Sequence, residues 1–172
     1  VTLVSGPVHL DTPAGVNRVD VTTAQEMYEK VLEFFPGMDI VIKSAAVADY
    51  RPVVTYDQKF KKQPGSLSIE MERTEDILKT LGINKTNQFL VGFAAETNNV
   101  LQQGEKKLVS KNLDAVVIND ITAKGAGFAN DTNSVIYLNR KGFKTELGLA
   151  TKAEIASSLL HLITKDLKDE LE

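Results

Sequence analysis

The sequence predicts a Rossmann-like α/β fold of three layers: a mostly parallel sheet between helices, with a flap of short strands and a terminal antiparallel hairpin. Three observations lead there. Strand-like and helix-like periods alternate along the chain, which requires crossover connections and therefore parallel pairing. The runs Met38–Ile42, Phe89–Phe93 and Asp114–Ile118 are nearly continuous in apolar residues, as strands covered on both faces are. Near the carboxyl end, Ser134–Asn139 and Lys144–Leu147 flank Arg140-Lys141-Gly142, the spacing of a hairpin.

In order, Val1–Ser5 is a short apolar strand closed by Gly6-Pro7, and Val16, Val19 and Val21 offer a second extended run. Thr23 and Glu26 have the capping-box spacing, in which hydroxyl and carboxylate satisfy the first free N–H groups of a helix. That helix has Met27, Val31, Phe34 and Phe35 on its apolar face and stops at Pro36-Gly37. After the strand Met38–Ile42, small residues lead into the polar loop Asp49-Tyr50-Arg51-Pro52. Lys59–Lys62 and Leu67–Met71 read as two short strands joined by Pro64-Gly65, too polar to be central and therefore placed on a flap. Thr74–Leu81 is a short helix expected to end at Gly82. Thr97-Asn98-Asn99 is expected to cap a helix through about Lys111, with Leu101, Gly104 and Leu108 on its apolar face. A second capping box, Thr151 to Glu154, opens a last helix that buries Ile155, Leu159, Leu162 and Ile163. The mixed-charge tail Lys165–Glu172 is expected to fray.

At 172 residues, 42% hydrophobic and 25% charged, the chain suits one globular domain over 1–172. It holds no run near the ~18 apolar residues of a membrane-spanning helix, so no membrane partner is expected. Without cysteine there is no disulfide, thiolate zinc site or thiol nucleophile, and His9 and His161 are too few for a histidine-rich metal site. Any metal must be held by oxygen. A formal charge of −3 lacks the basic footprint of a nucleic-acid binder. Val1–Ser5 reads as a strand rather than a targeting leader, which with the missing cysteines fits the cytoplasm.

In open parallel sheets ligands bind beyond the carboxyl ends of the strands, which selects Ala45–Arg51, Phe93–Asn99 and Asn119–Asn133. Ala45 and Ala46 let a ligand approach the backbone, and Asp49 offers an acceptor to a ribose hydroxyl, a substrate amide or a divalent cation. The same residues also suit packing under a helix and the capping of a turn. Lys59 and Lys61 share one face of an extended strand, which suits a polyphosphate or, more plainly, a solvated edge. Lys107 and Lys111 are i and i+4 and point the same way, towards phosphates or solvent. Phe93 can stack a base or simply join the core. The G-x-G of Lys124–Phe128 lacks the third glycine of a dinucleotide fingerprint, and no Walker A loop, nucleophile elbow or H-E-x-x-H occurs. What remains is a site for a nucleotide or phosphorylated metabolite.

Taken in order, Ser5-Gly6-Pro7, Val19-x-Val21-x-Thr23-Ala24-x-Glu26-Met27, Ala45-Ala46-Val47-Ala48-Asp49-Tyr50-Arg51, Lys59-x-Lys61-Lys62, Val91-Gly92-Phe93-Ala94-Ala95-Glu96-Thr97, Lys111-Asn112-Leu113-Asp114, Asn119-Asp120 and Gly127-Phe128 with Asp131 and Asn133 closely resemble the phosphopantothenoylcysteine synthetase family over nearly the whole chain. The resemblance implies a dimeric ligase of coenzyme A biosynthesis, commonly fused behind a flavin-dependent decarboxylase. The carboxylate of 4′-phosphopantothenate attacks the α-phosphate of CTP, pyrophosphate leaves, and the amine of L-cysteine then displaces CMP from the acyl-cytidylate. It further implies a nucleotide site of Ser44, Ala45, Ala46, Asp49, Lys59, Glu75, Asp76, Ile77, Leu78, Phe93, Lys107 and Lys111. In it Lys59 is catalytic over the α-phosphate, Asp49 binds the nucleotide, the substrate or its Mg²⁺ ion and is the one residue offered to a metal, and Phe93 with Glu75–Leu78 lies around the base. Two departures stand out. Thr74-Glu75-Asp76-Ile77 replaces a frequent Asn-Pro-Asp-Ile, which implies mainly backbone contacts there. The family's opening strand, Gly-rich turn and first helix do not precede Val1, so the 172 residues are expected to be most of a synthetase domain, deficient in ligation alone. A noncatalytic nucleotide-binding or assembly module on the same fold is the rival expectation.

Overall fold

The computed structural model describes residues 1–59, 61, 64–96, 99–120 and 130–171. The chain divides into two compact units, Val1–Phe34 with Ala45–Ile77, and Phe35–Ser44 with Leu78–Glu172.

In the first unit β1 (Thr2–Ser5) and β2 (Asn17–Asp20) pair in parallel, from Thr2 opposite Asn17 to Ser5 opposite Asp20. They form a two-stranded sheet of their own. Helix α1 (Ala24–Phe34) starts where the capping box requires. The Thr22 and Thr23 amides donate to Glu26 Oε2 at 2.6 and 3.1 Å, and the Glu26 amide donates back to Thr23 Oγ1 at 3.1 Å. Met27 is buried, while Val31 and Phe34 are half-buried.

The flap differs from the expected pairing. Its ladder joins β4 (Tyr50–Pro52) to β5 (Met71–Arg73), antiparallel, with Tyr50 opposite Arg73. It is prolonged by Val53 N to Glu70 O at 3.0 Å and Thr74 N to Asp49 O at 3.0 Å. Lys59, Lys61 and Leu67–Glu70 are in no strand; Phe60, Lys62 and Gln63 of the expected first strand lie outside the described residues. The reason is cross-strand chemistry that a linear reading took for a loop. Arg51 Nε donates to Glu72 Oε1 at 2.8 Å, and the Arg73 guanidinium lies 5.9 Å from the Tyr50 ring centre.

The second unit holds a five-stranded sheet in the order β3 (Ile40–Lys43), β6 (Phe89–Glu96), β7 (Ala115–Asp120), β8 (Thr132–Asn139), β9 (Lys144–Thr151). The first three strands are parallel, and β8 and β9 are the expected hairpin. β6 and β7 are buried on both faces as expected, with Val91 and Val117 fully covered. β3 is not: it is an edge strand, and Ile42 is 40% exposed. Its apolar run predicts burial, but among the described residues β6 is its one strand neighbour.

Helices cover both faces. α3 (Val100–Ser110) lies so close to β7 that a Cβ on Gly104 would stand 2.2 Å from Ile118 Cδ1. Asn99 occupies its N-cap with φ 49°, yet without a side-chain cap bond, contrary to the expected Asn capping; Thr97 and Asn98 lie outside the described residues. α2 (Ile77–Asn84) runs through Gly82 instead of ending there. That glycine is needed for proximity, since a Cβ on it would lie 1.8 Å from the Lys111 carbonyl oxygen. On the opposite face α4 (Lys152–Leu171) opens with its capping box, Thr151 N to Glu154 Oε2 at 2.9 Å. It lays Ile155, Leu159 and Ile163 over Phe89, Val91, Ala115, Val117, Val135 and Tyr137. Leu162 is only half-buried. The tail stays helical to Leu171, because Asp166 accepts from Tyr137 Oη at 2.6 Å and Asn139 Nδ2 at 2.8 Å while Leu167 packs on the core. Among the described residues no helix is long and apolar enough to cross a membrane.

Candidate functional site

The candidate residues of the second unit lie on β6 (Phe93), on α3 and at its end (Lys107 and Lys111), after β3 (Ser44) and on α2 (Leu78). Phe93 stands one residue beyond the last β6 position paired with β3, Gly92 opposite Lys43. Its half-buried ring packs against the core under α4, and its carbonyl accepts from Lys107 Nζ at 2.7 Å. A lysine ammonium donates N–H bonds, and this one is held against the β6 backbone. The bond turns a flexible side chain into a positioned charge. Close packing at Gly104 keeps α3 low enough over the sheet for Lys107, three residues later, to reach β6.

Lys111 is not brought to the same point. It is the C-cap of α3, one turn beyond Lys107 or about 6 Å along the axis. Its carbonyl faces Gly82, where the chain turns into the amino end of β7. That end of the sheet has a polar network of its own. Asp114, 7% exposed, accepts from Lys85 Nζ at 2.6 Å and the Leu90 amide at 2.7 Å. Arg140 donates to Leu113 O at 3.0 Å and Asn112 Oδ1 at 2.6 Å. Ser44 and Leu78 are the remaining candidates in this unit, the first exposed after β3, the second buried on α2.

In the first unit, Ala45, Ala46 and Asp49 are exposed on the segment leading to β4, and Lys59 is exposed after it. Thr74 ties this segment to the next candidates. Its hydroxyl donates to Ala48 O at 2.6 Å and its amide to Asp49 O at 3.0 Å, which puts the exposed Glu75 and Asp76 beside the Asp49 backbone. Ile77 follows, buried at the start of α2. The A-A-V-A-D and T-E-D-I blocks, 26 residues apart from Ala48 to Thr74, are therefore joined by main-chain and hydroxyl bonds. Among the described residues no three His, Asp or Glu side chains gather as a metal-ligand set. A single exposed carboxylate such as Asp49 fits a hydrated Mg²⁺ that arrives with phosphates and keeps its waters, rather than a protein cage.

One residue in each unit escapes linear reading. Thr74 is a tether whose role depends on a partner distant in sequence. Asn119, at the end of β7, is 6% exposed, and its Oδ1 has no hydrogen-bond partner among the described residues. The only sequence signal for either is its place in a motif.

The chain as a whole is similar to known proteins. The model of the family described as "DNA/pantothenate metabolism flavoprotein C-terminal domain" matches residues 1–167. The chain is 48% identical over 164 residues to "Coenzyme A biosynthesis bifunctional protein CoaBC" of Bacillus subtilis (strain 168), covering 95% of this chain and 40% of that protein. Against the protein of the same name from Vibrio cholerae serotype O1 it is 43% identical over 166 residues, covering 95% and 41%. The chain thus spans about two fifths of the length of these relatives. A solved structure, "Crystal structure of the C-terminal Domain of Coenzyme A biosynthesis bifunctional protein CoaBC", superposes with a TM-score of 0.81 at 44% identity, covering 98% of this chain and 77% of that one. With the α/β architecture, the parallel strands and the antiparallel hairpin all shared, the chain belongs to the DNA/pantothenate metabolism flavoprotein C-terminal domain family.

Proposed function

We propose that this chain is the ligase part of a coenzyme A biosynthesis protein, joining 4′-phosphopantothenate to L-cysteine at the expense of CTP. The 48% identity over 164 residues to a protein named for coenzyme A biosynthesis carries the reading. The site chemistry agrees with it. A carboxylate is a poor acyl donor, so its oxygen first attacks the α-phosphorus of CTP, pyrophosphate departs, and an acyl-cytidylate remains. The cysteine amine then adds to the acyl carbon, the C–O bond to phosphate breaks, CMP leaves, and the amine proton passes to solvent.

Each half-reaction makes demands on this chain's residues. Negative charge accumulates around the α-phosphate in the first, and a positioned cation lowers that barrier most when it meets the charge as it forms. Lys59, exposed on an irregular segment, supplies a mobile ammonium for this role. Lys107, fixed on the Phe93 carbonyl, supplies a stationary one for the triphosphate. Lys111 adds charge from the far end of α3 in this reading. In this reading Asp49, whose carbonyl accepts from the Thr74 amide, serves the substrate together with the neighbouring Glu75 and Asp76, while Ser44, Ala45, Ala46, Ile77 and Leu78 are the remaining contacts proposed for the base and the substrate amide. The exposed edge of Phe93 borders the base. Asp49 is the residue that would contact a Mg²⁺ ion, and such an ion would supply charge neutralisation to the phosphates.

The partners follow from the same reading: a second copy of the chain, and a flavin-dependent decarboxylase fused or associated, which consumes the cysteine-containing product. Soluble phosphorylated substrates make the cytoplasm the proposed compartment. The test uses the full-length protein that contains this chain, mixed with 4′-phosphopantothenate, Mg²⁺ and either CTP or ATP. Pyrophosphate release with CTP is expected. Release with ATP alone would overturn the nucleotide assignment.

A further inference from the structure

Asn119 is the feature of the carboxyl-end region that the lysine chemistry leaves unused. It is the fifth residue of β7, opposite Ala95 on β6 and Val135 on β8. The alternation of the strands places it with Val117 and Ala115 on the α4 face, and Ala95 joins that face with Phe93 and Val91. Its neighbours there differ. Val135 is closed off at 2% exposure, whereas Ala95 is exposed, so the approach to the carboxamide is open over β6 and shut over β8. Asn119 Oδ1 is the one buried side-chain polar atom among the described residues without a hydrogen-bond partner. A buried acceptor left without a donor among the described residues is unusual and calls for a partner.

We propose that the Asn119 carboxamide is the acceptor for the N–H groups of the incoming amino-acid amine in the second half-reaction, an inference that rests on the ligase reading above. A turn of its side chain toward Ala95 points Oδ1 to the exposed side of β6, on the sheet face that also carries the Phe93 ring. A carboxamide oxygen suits the task because it accepts an N–H without being protonated, so it orients the amine and leaves its lone pair free to attack. The bonds balance as follows: nitrogen bonds to the acyl carbon, the acyl C–O bond breaks with its electron pair going to CMP, and the released proton goes to water. The small apolar wall of Ala95 and Val135 beside it fits a short side chain such as the thiol-bearing methylene of cysteine.

The experiment compares full-length wild type with Asn119→Leu, which removes the acceptor at similar volume, and Asn119→Ala, which leaves a small void if leucine does not fit. Pyrophosphate release without cysteine reports the first half-reaction, and amide formation over a cysteine titration reports the second. Amide formation is expected to fall at least tenfold relative to pyrophosphate release, with a raised KM for cysteine, in both variants. A cysteine KM equal to wild type, or an equal loss in both half-reactions, overturns the assignment of Asn119. Absence of CTP-dependent pyrophosphate release in the wild type instead overturns the ligase reading itself.

Discussion

Glu26 and Glu154 are each the third helical residue of a capping box, and backbone or hydroxyl donors hold both carboxyls below the ordinary value of 4.5. For Glu26 the Thr22 amide is the largest cause, followed by the Thr23 amide. For Glu154 the Thr151 hydroxyl leads and the Thr151 amide follows. A carboxyl depressed in the folded state contributes stability that is complete above pH 4.5 and is lost as pH falls through the folded value. The double variant Glu26→Gln, Glu154→Gln is therefore expected to melt below wild type at pH 7, with the gap narrowing towards pH 3; a gap of constant size across thermal melts at the two pH values contradicts the capping account. Both boxes were legible because an S/T-x-x-E spacing is local. The Asn99 cap was misread for the complementary reason: at φ 49° its side chain is turned away from the amides that an extended N-cap would meet.

At the scale of elements, helix and strand identities followed from periodicity, while their ends and partners depended on packing that no window contains. Gly82 reads as a stop signal in sequence, yet the close approach of the Lys111 carbonyl makes it an interior contact. Gly82→Ala is expected to cost about 3 kcal/mol or more, because the obstacle is backbone. Gly104→Ala is expected to cost about 1–3 kcal/mol, since the Ile118 side chain can yield. Urea unfolding of the two variants, with Gly104→Ala less stable than Gly82→Ala as the contrary outcome, separates the explanations. The Lys85–Asp114 pair joins the loop before β6 to the start of β7, with side chains 9% and 8% exposed. Asp114→Asn leaves Lys85 buried without its counter-charge and is expected to destabilise by about 3–5 kcal/mol, a loss that a shift of the urea midpoint measures. The flap shows the opposite limit of sequence reading. Leu67, Ile69 and Met71 alternate as a strand should, but the ladder formed where Tyr50–Pro52 offered Arg51 to Glu72 and Tyr50 to Arg73.

Across the molecule, the α/β class, the parallel core and the closing hairpin were readable because each leaves a periodic mark: continuous apolar runs for β6 and β7, alternation around Gly142 for β8 and β9. The edge position of β3 was not, since an apolar run states what a strand can bury and says nothing of how many neighbours it has. The candidate site divides the same way. The motifs name Asp49, Phe93 and Lys107 but not the bonds that hold them, Thr74 to Ala48 and Asp49 and Lys107 to the Phe93 carbonyl, at 2.6 to 3.0 Å. Asn119 was named in a motif, but its unmet acceptor stayed hidden because an unmet hydrogen bond is a property of three dimensions. At this scale Lys59→Gln should leave thermal unfolding unchanged while single-turnover acyl-cytidylate formation falls strongly, and an unchanged rate would reduce Lys59 to a solvated flap residue. The central claim, that the substrate carboxylate is activated by attack on the α-phosphate of CTP, is tested most directly with 4′-phosphopantothenate carrying ¹⁸O in its carboxylate. After turnover with CTP and cysteine by the full-length protein, mass spectrometry is predicted to find one ¹⁸O in CMP and none in pyrophosphate. Label in pyrophosphate or orthophosphate, or amide product formed without any label in CMP, would contradict it.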